Sequence, residues 1–399
     1  MTDSAYTAPA ATPTQAGPDG LRFDFNLGAR VAVPAGDWRV ELRDLDTGNT
    51  LFQSTSGDVL VSSAKRYFVR FAVIAWHDGA EVLRHHFDAA GREVLIQFPV
   101  GTLGDVIGWL PYAVRFQQAH RCRLTVSMGE KLIGLFAGAY PEIRFVTQAA
   151  VVAEDYYATY HLGLFFDDDA AEWQPSDFRL VGLHRTAGYI LGVDPAEAPP
   201  LLDLPATTPP IAEPYVVIAT QSSTQCKYWN NPTGWREVVE RLRGLCYRVV
   251  CIDQAPVHGH GIVWNHIPHR AEDETGDRPL AERARWLRHA AFFVGLSSGL
   301  SWLAWSVGTP VVMISGFTHP TNEFATPYRV INYNVCNCCW NDPRLRFNHH
   351  DFLWCPRFAG SDRQFECSRL ITAAQVLATI GRVPDVQARI AARPEAEAV

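Results

Sequence analysis

Short apolar runs alternate with amphipathic ones across residues 215–316: YVVIAT, GWREVVERLRGL, RVVCID, LAERARWLRHA, FFVGL, GLSWLAWSVG and PVVMISG. Each apolar run is too short for a buried helix and has no polar face, which suits a strand covered on both sides. Such strands, joined by helical segments, predict a parallel sheet with helices over it. A less regular alternation occupies residues 92–193, where EVLIQFP and CRLTVSM flank the amphipathic DVIGWLPYAVRFQQA. The chain therefore reads as α/β with two Rossmann-like halves, a plan in which ligands collect at the carboxyl ends of the strands.

Residues 21–90 carry short alternating runs, LRFDFNLGARVAV, DWRVELRD and RYFVRFAVIAW, broken by DTGN and HDGA, and predict a small antiparallel β domain. Residues 1–20 show no apolar periodicity and are expected to form a disordered tail. The Pro-rich DPAEAPPLLDLPATTPPIAEP reads as a linker between a first Rossmann-like domain over 91–205 and a second over 206–335. A cysteine-rich segment at 336–370 follows, then a closing helix near TAAQVLATIG and a tail within 371–399.

Composition narrows the function classes. With 47% hydrophobic and 19% charged residues the chain is globular, and its net charge of −7 gives nucleic acid or an acidic membrane nothing to bind. The start MTDSAYTAPAATPTQAGPDG is polar and Ala/Pro-rich rather than basic then apolar, and no run approaches a membrane span. A cytoplasmic protein without a membrane span is the expectation. In a reducing compartment, clustered cysteines favour metal over disulfides.

Five of the nine cysteines lie between Cys336 and Cys367. Cys336 and Cys339 have the C-x2-C spacing of a chelating knuckle, Cys355 and Cys367 can close the loop, and Cys338 is a spare or an alternative ligand. Four thiolates around one ion leave no open position for substrate, so this predicts a structural metal finger; reduced, buried cysteines are the alternative reading. Zinc suits four thiolates. Cys122, Cys226, Cys246 and Cys251 read as core residues, and the histidines of PVHGHGIVWNHIPH as surface-loop residues.

Chemistry is expected at strand ends instead. In FPVGTLGDVIGWLP, Gly101 and Gly104 allow a tight turn, and Asp105 at the helix start serves either as a general base or as an N-cap. Lys227, among small polar residues after a strand, is either a phosphate contact or a solvated loop lysine. Ser297, Ser298, Gly299 and Ser301 mark a strand-to-helix junction whose free N–H groups make a phosphate seat, with ordinary serine capping as the alternative. Thr318 and Glu323, in SGFTHPTNEF, follow another strand end near the same crevice.

These stretches resemble the bacterial autotransporter heptosyltransferases, the TibC-like protein O-heptosyltransferases within the wider GT-B heptosyltransferases, over roughly residues 21–383. The resemblance of GTLGDVIGWLP implies that Asp105 is the catalytic base, next to Gly104. That of CKYWNNPTGWREVV implies that Lys227 contacts the nucleotide diphosphate, and that of GLSSGLSWLAWSVGTPVV implies a donor-binding helix start at Ser298, Gly299 and Ser301. The cysteine segment, with WCPR and RQFECS, resembles an iron finger, which implies one structural ferric iron (Fe3+) on Cys336, Cys339, Cys355 and Cys367. The family further implies an N-terminal β-barrel, a dodecameric homo-oligomer, ADP-heptose as donor and the serines of an autotransporter adhesin passenger domain as acceptor. The aromatic-rich finger offers a contact surface for that assembly.

One departure separates the chain from lipopolysaccharide heptosyltransferases. Those usually carry Asp-Thr-Gly and a later His at the donor helix, where this sequence has Ser297, Ser298, Gly299 and Trp302. A lipopolysaccharide-core heptosyltransferase is thus the enzymatic rival, and a metal-stapled nucleotide-binding assembly protein the non-catalytic one.

Overall fold

A computed structural model describes residues 6–99, 102–205 and 208–392. Gly101, residues 1–5 and 393–399 of the two tails, and residues 206–207 of the Pro-rich stretch lie outside the described residues. The chain divides into two units: Met1–Thr102 with Trp109–Ala198, and Leu103–Gly108 with Pro199–Val399.

In the first unit, strands Arg144–Val146, Arg123–Ser127, Glu93–Gln97, Ala158–His161 and Arg22–Asn26 lie side by side in parallel. Arg30–Val33 and Val59–Ser62 extend this sheet antiparallel, and Trp38–Asp44, Thr50–Ser54, Phe71–His77 and Ala80–His86 form a separate four-stranded antiparallel sheet. Ala158–His161 pairs directly with Arg22–Asn26, so the stretch before residue 90 shares a sheet with strands that follow it.

The disordered-tail reading also gives way for residues 6–20. Polar contacts hold them, alongside the buried Ala10 and Pro13. The Thr7 N–H donates to Gln97 Oε1 at 2.9 Å, the Thr14 N–H to Asp24 Oδ2 at 3.0 Å, and Arg30 Nη1 to Ala10 O at 2.8 Å. Tyr6 stacks on His161 with ring centroids 4.2 Å apart. A pattern search for apolar periodicity is blind to such anchoring.

In the second unit all six strands of the main sheet are parallel, in the order Glu272–Asp273, Arg248–Cys251, Tyr215–Ile218, Phe293–Leu296, Val311–Ile314, Arg329–Val330. The helix Gly234–Gly244 buries Val238, Val239 and Leu242 against it and turns Arg241 and Arg243 to its negative carboxyl end. Ala373–Ile380 begins with a capping box between Thr372 and Gln375, and its Val376 and Ile380 join the same core. No described helix is long and apolar enough to cross a membrane.

Candidate functional site

The second sheet reverses its winding beside Tyr215–Ile218: Arg248–Cys251, next along the chain, lies on one side, and Phe293–Leu296 on the other. The loops leaving these two strands diverge, and that divergence is where open α/β sheets hold ligands. Lys227 lies on the first loop and Ser297–Gly299 on the second.

Asp253 shapes the start of the first loop. Its carboxylate accepts from Thr220 N at 2.8 Å, Thr220 Oγ1 at 2.9 Å and Gln221 N at 3.3 Å. Burial raises the Asp253 pKa above the ordinary carboxylate value, against the opposing pull of the Thr220 N–H. The loop ends in a 3-10 turn, Gln225–Lys227. From there the Gln225 N–H donates to Phe352 O at 2.8 Å, Asn230 Nδ2 to Ser368 Oγ at 2.8 Å and Trp229 Nε1 to Ile371 O at 2.9 Å. Residues far along the chain thus clasp this loop.

Lys227 is half-buried, with Nζ 5.8 Å from the ring centroids of Phe317, Trp340 and Phe347 alike. Among the described residues no carboxylate or hydrogen-bond acceptor engages Nζ. His349, packed on Phe347 at 4.6 Å, registers that charge: burial first, then Lys227, lowers its pKa.

On the second loop, Ser298 caps the helix Gly299–Ser306 in extended backbone, φ −149° and ψ 168°. Its hydroxyl makes no cap bond, and the buried Oγ finds no partner. Ordinary serine capping therefore does not account for Ser298. Ser301 differs: its Oγ is buried and donates to Leu296 O at 2.5 Å, so it braces the turn.

Leu103–Gly108, the first turns of the Leu103–His120 helix, group with this unit. A Cβ on Gly299 would stand 2.9 Å from Leu103 Cβ, and one on Gly104 2.7 Å from Trp302 Cδ1. Both glycines are thus dictated by space. Thr102, not Asp105, occupies the N-cap position. Asp105 is half-buried in the first turn, where the helix dipole favours a carboxylate.

Thr318 and Glu323 are each 2% exposed. Glu323 accepts from Ser297 Oγ at 2.5 Å, Asn322 Nδ2 at 3.1 Å and Arg329 Nη1 at 2.6 Å, while Arg329 Nη2 donates to Thr318 Oγ1 at 3.0 Å. Burial pushes the Glu323 pKa up, but the Arg329 charge and the hydrogen bonds outweigh it and hold the carboxyl below its ordinary value. These two residues brace Ser297 from behind rather than offering free polar atoms to a ligand. Sequence reading missed Arg329 and Asp253. Asp253 follows the apolar run RVVCI directly, a strand-end signal that could have flagged it.

The four finger cysteines lie near one another. Burial, then the Cys339, Cys226, Cys336 and Cys355 thiols, raises the Cys367 pKa, and burial followed by Cys336 pushes Cys339 up to about 12. Burial raises the Cys338 pKa to about 11, with Arg329, Glu323, Arg357 and the Cys336 thiol as further influences. Among the described residues no three His, Cys, Asp or Glu side chains converge as a metal cage, and the histidines at 258–266 lie on a hairpin, Val257–His260 with Val263–His266. The donor chemistry nevertheless fits a metal, since a cation would deprotonate buried thiols that raise one another's pKa. Cys122, Cys226 and Cys251 are buried as expected, whereas Cys246 is exposed, at φ 62° in a turn.

Gly316 closes the finger: a Cβ there would lie 2.2 Å from Cys367 O. Gly316→Ala is expected to destabilise the unit by about 1–3 kcal/mol and to lower bound metal per chain, read by thermal melting and elemental analysis.

Residues 17–79 match the N-terminal domain of glycosyltransferase TibC, and residues 193–349 match glycosyltransferase family 9 (heptosyltransferase). The autotransporter heptosyltransferase BAHTCr of Citrobacter rodentium is 54% identical over 380 residues, covering 95% of this chain and 92% of that protein. The chain belongs to the autotransporter heptosyltransferase family. Another family member, TibC of enterotoxigenic Escherichia coli H10407, has a crystal structure as an iron-containing dodecameric glycosyltransferase. That structure superposes with TM-score 0.92 at 54% identity over 96% of this chain and 100% of the chain in that structure. A second TibC structure holds ADP-D-β-D-heptose, with TM-score 0.91, 53% identity and coverage of 94% and 99%. The family also includes BimC of Burkholderia thailandensis, named an inactive autotransporter heptosyltransferase, 49% identical over 381 residues and covering 96% of this chain and 90% of BimC.

Proposed function

We propose that this heptosyltransferase moves heptose from ADP-heptose to serine hydroxyls of an autotransporter passenger domain, with inversion at the anomeric carbon. The observation that carries this reading is the Lys227 ammonium, fixed where the sheet reverses and left without an anionic partner. Asp105 takes the serine proton as the oxygen bonds to the anomeric carbon. The bond from that carbon to ADP breaks, and its electron pair leaves on the β-phosphate. Lys227 and the N–H groups of Gly299 and Leu300 meet that charge with little reorganisation. Gly104 allows the close approach of the Asp105 turn, while Ser301, Thr318 and Glu323 hold the donor side in place.

Cys336, Cys339, Cys355 and Cys367 would hold one structural iron, as the iron-containing TibC suggests, with zinc the alternative thiolate metal. Four thiolates close the coordination sphere, so the ion supplies rigidity to the finger. The same relation supports assembly as a dodecamer, and the reading takes the cytoplasm as its place of action.

The test is the intact mass of a purified passenger domain incubated with the protein and ADP-heptose. A ladder of heptose increments supports the assignment. BimC, an inactive relative at 49% identity, gives the non-catalytic reading its weight. ADP binding without any ladder, across several passengers, would favour that reading. Ser298→Ala is expected to weaken ADP roughly 10–150-fold, the range for a hydrogen bond to a charged group, while the ligand-free melting temperature barely moves.

A further inference from the structure

Four buried rings, Phe317, Trp340, Phe347 and Trp354, pack into one cluster within the second unit. Phe317 lies 5.6 Å from Trp340 and 5.5 Å from Phe347, and Trp354 lies 5.0 Å from Phe347, all between centroids. All four face inward. Three are tied directly to the cysteines: Trp340 follows Cys339, Trp354 precedes Cys355, and Phe317 follows Gly316, which rests on Cys367. Three of the rings are equidistant from Lys227 Nζ, at 5.8 Å.

We infer that Phe317, Trp340 and Phe347 form an aromatic cage that positions Lys227 for the nucleoside diphosphate, which makes the metal finger part of the donor site. The inference rests on the role of Lys227 proposed above. Aromatic faces attract an ammonium without accepting its N–H bonds as an oxygen would. The cage therefore restricts a flexible side chain whose ordering would otherwise oppose binding, and it leaves the three donors for phosphate oxygens. A carboxylate in the same place would order the lysine equally well but neutralise it. The rings are positioning residues, acting through Lys227.

The experiment uses the full chain with its metal bound and measures ADP affinity by calorimetry. Phe347→Leu is expected to weaken ADP roughly 2–30-fold, the range of one cation–π contact, with Phe347→Tyr restoring it. In a Lys227→Ala background Phe347→Leu should change nothing further. Bound metal per chain, measured alongside, reports whether the finger is intact. A second series guards against loss of the fold: Phe347 replaced by mono-, di- and trifluorophenylalanine keeps its shape while draining the ring face of negative charge. A stepwise fall in affinity supports the cage; a flat or tightening series overturns it. If Lys227→Ala itself binds ADP like the wild type, the donor role of Lys227 fails, and the cage proposal falls with it. A weakened Lys227→Ala beside a flat fluorine series sinks the cage alone.

Discussion

Asp105→Ala is expected to lower kcat for heptosyl transfer by about 10²–10⁴-fold, the usual contribution of a positioned general base. ADP affinity and melting temperature should stay at wild-type levels. The side chain is half-buried in the first turn of Leu103–His120, and the cap position belongs to Thr102. Only a slight loss through favourable charge at the helix N-terminus is expected, about 0.3–1 kcal/mol. Steady-state kinetics with a passenger acceptor, paired with calorimetry of ADP binding, separates the effects. A kcat within tenfold of wild type would remove Asp105 from the base role; a loss of ADP binding of similar size would recast it as a binding group.

The second large effect concerns stability. Glu323→Ala leaves Arg329 buried without its carboxylate, a loss of about 3–5 kcal/mol for a broken buried pair. Thermal denaturation should register this as a fall of roughly 6–20 °C, at 2–4 °C per kcal/mol for a unit of this size. Glu323→Leu combined with Arg329→Met should recover much of the loss, since an apolar pair of similar volume replaces the ion pair. The wild type carries a related pH signature. The folded Glu323 pKa lies below its ordinary value of 4.5. Its stabilisation is therefore complete above about pH 4.5 and disappears as the pH falls through the lower, folded value. Acid melts of wild type and Glu323→Gln should converge at low pH; parallel curves down to pH 3 would contradict the assignment.

The four central strands of the second sheet and the helices between them were legible because parallel strands buried on both faces leave an unmistakable record of apolar runs. Lys227, Ser298 and Gly299 were legible for the same reason, as residues that follow such runs. What escaped sequence reading depends on side chains meeting across the chain. Thr318 and Glu323 looked like ligand groups until Arg329 was found spanning both. Ser301 looked like a phosphate contact, and its hydroxyl is engaged by Leu296 O. The N-terminal stretch was misread because Gln97, Asp24 and Arg30 hold it through polar contacts that no periodicity announces. The aromatic finger residues were visible as composition, but inward and outward orientations share one composition.

The clasp on the Lys227 loop has a consequence for the order of folding. All six strands of the second sheet are complete by Val330, yet Phe352, Ser368 and Ile371 finish the loop. The Trp229 and Ile371 partners are 142 positions apart, so closing that contact waits on a long search through the chain. A polypeptide that ends at residue 330 holds all six strands but none of the residues that clasp the Lys227 loop. If Lys227 holds the donor as proposed, partly made chains that lack residues 352–371 would have no competent site with which to draw on the donor pool.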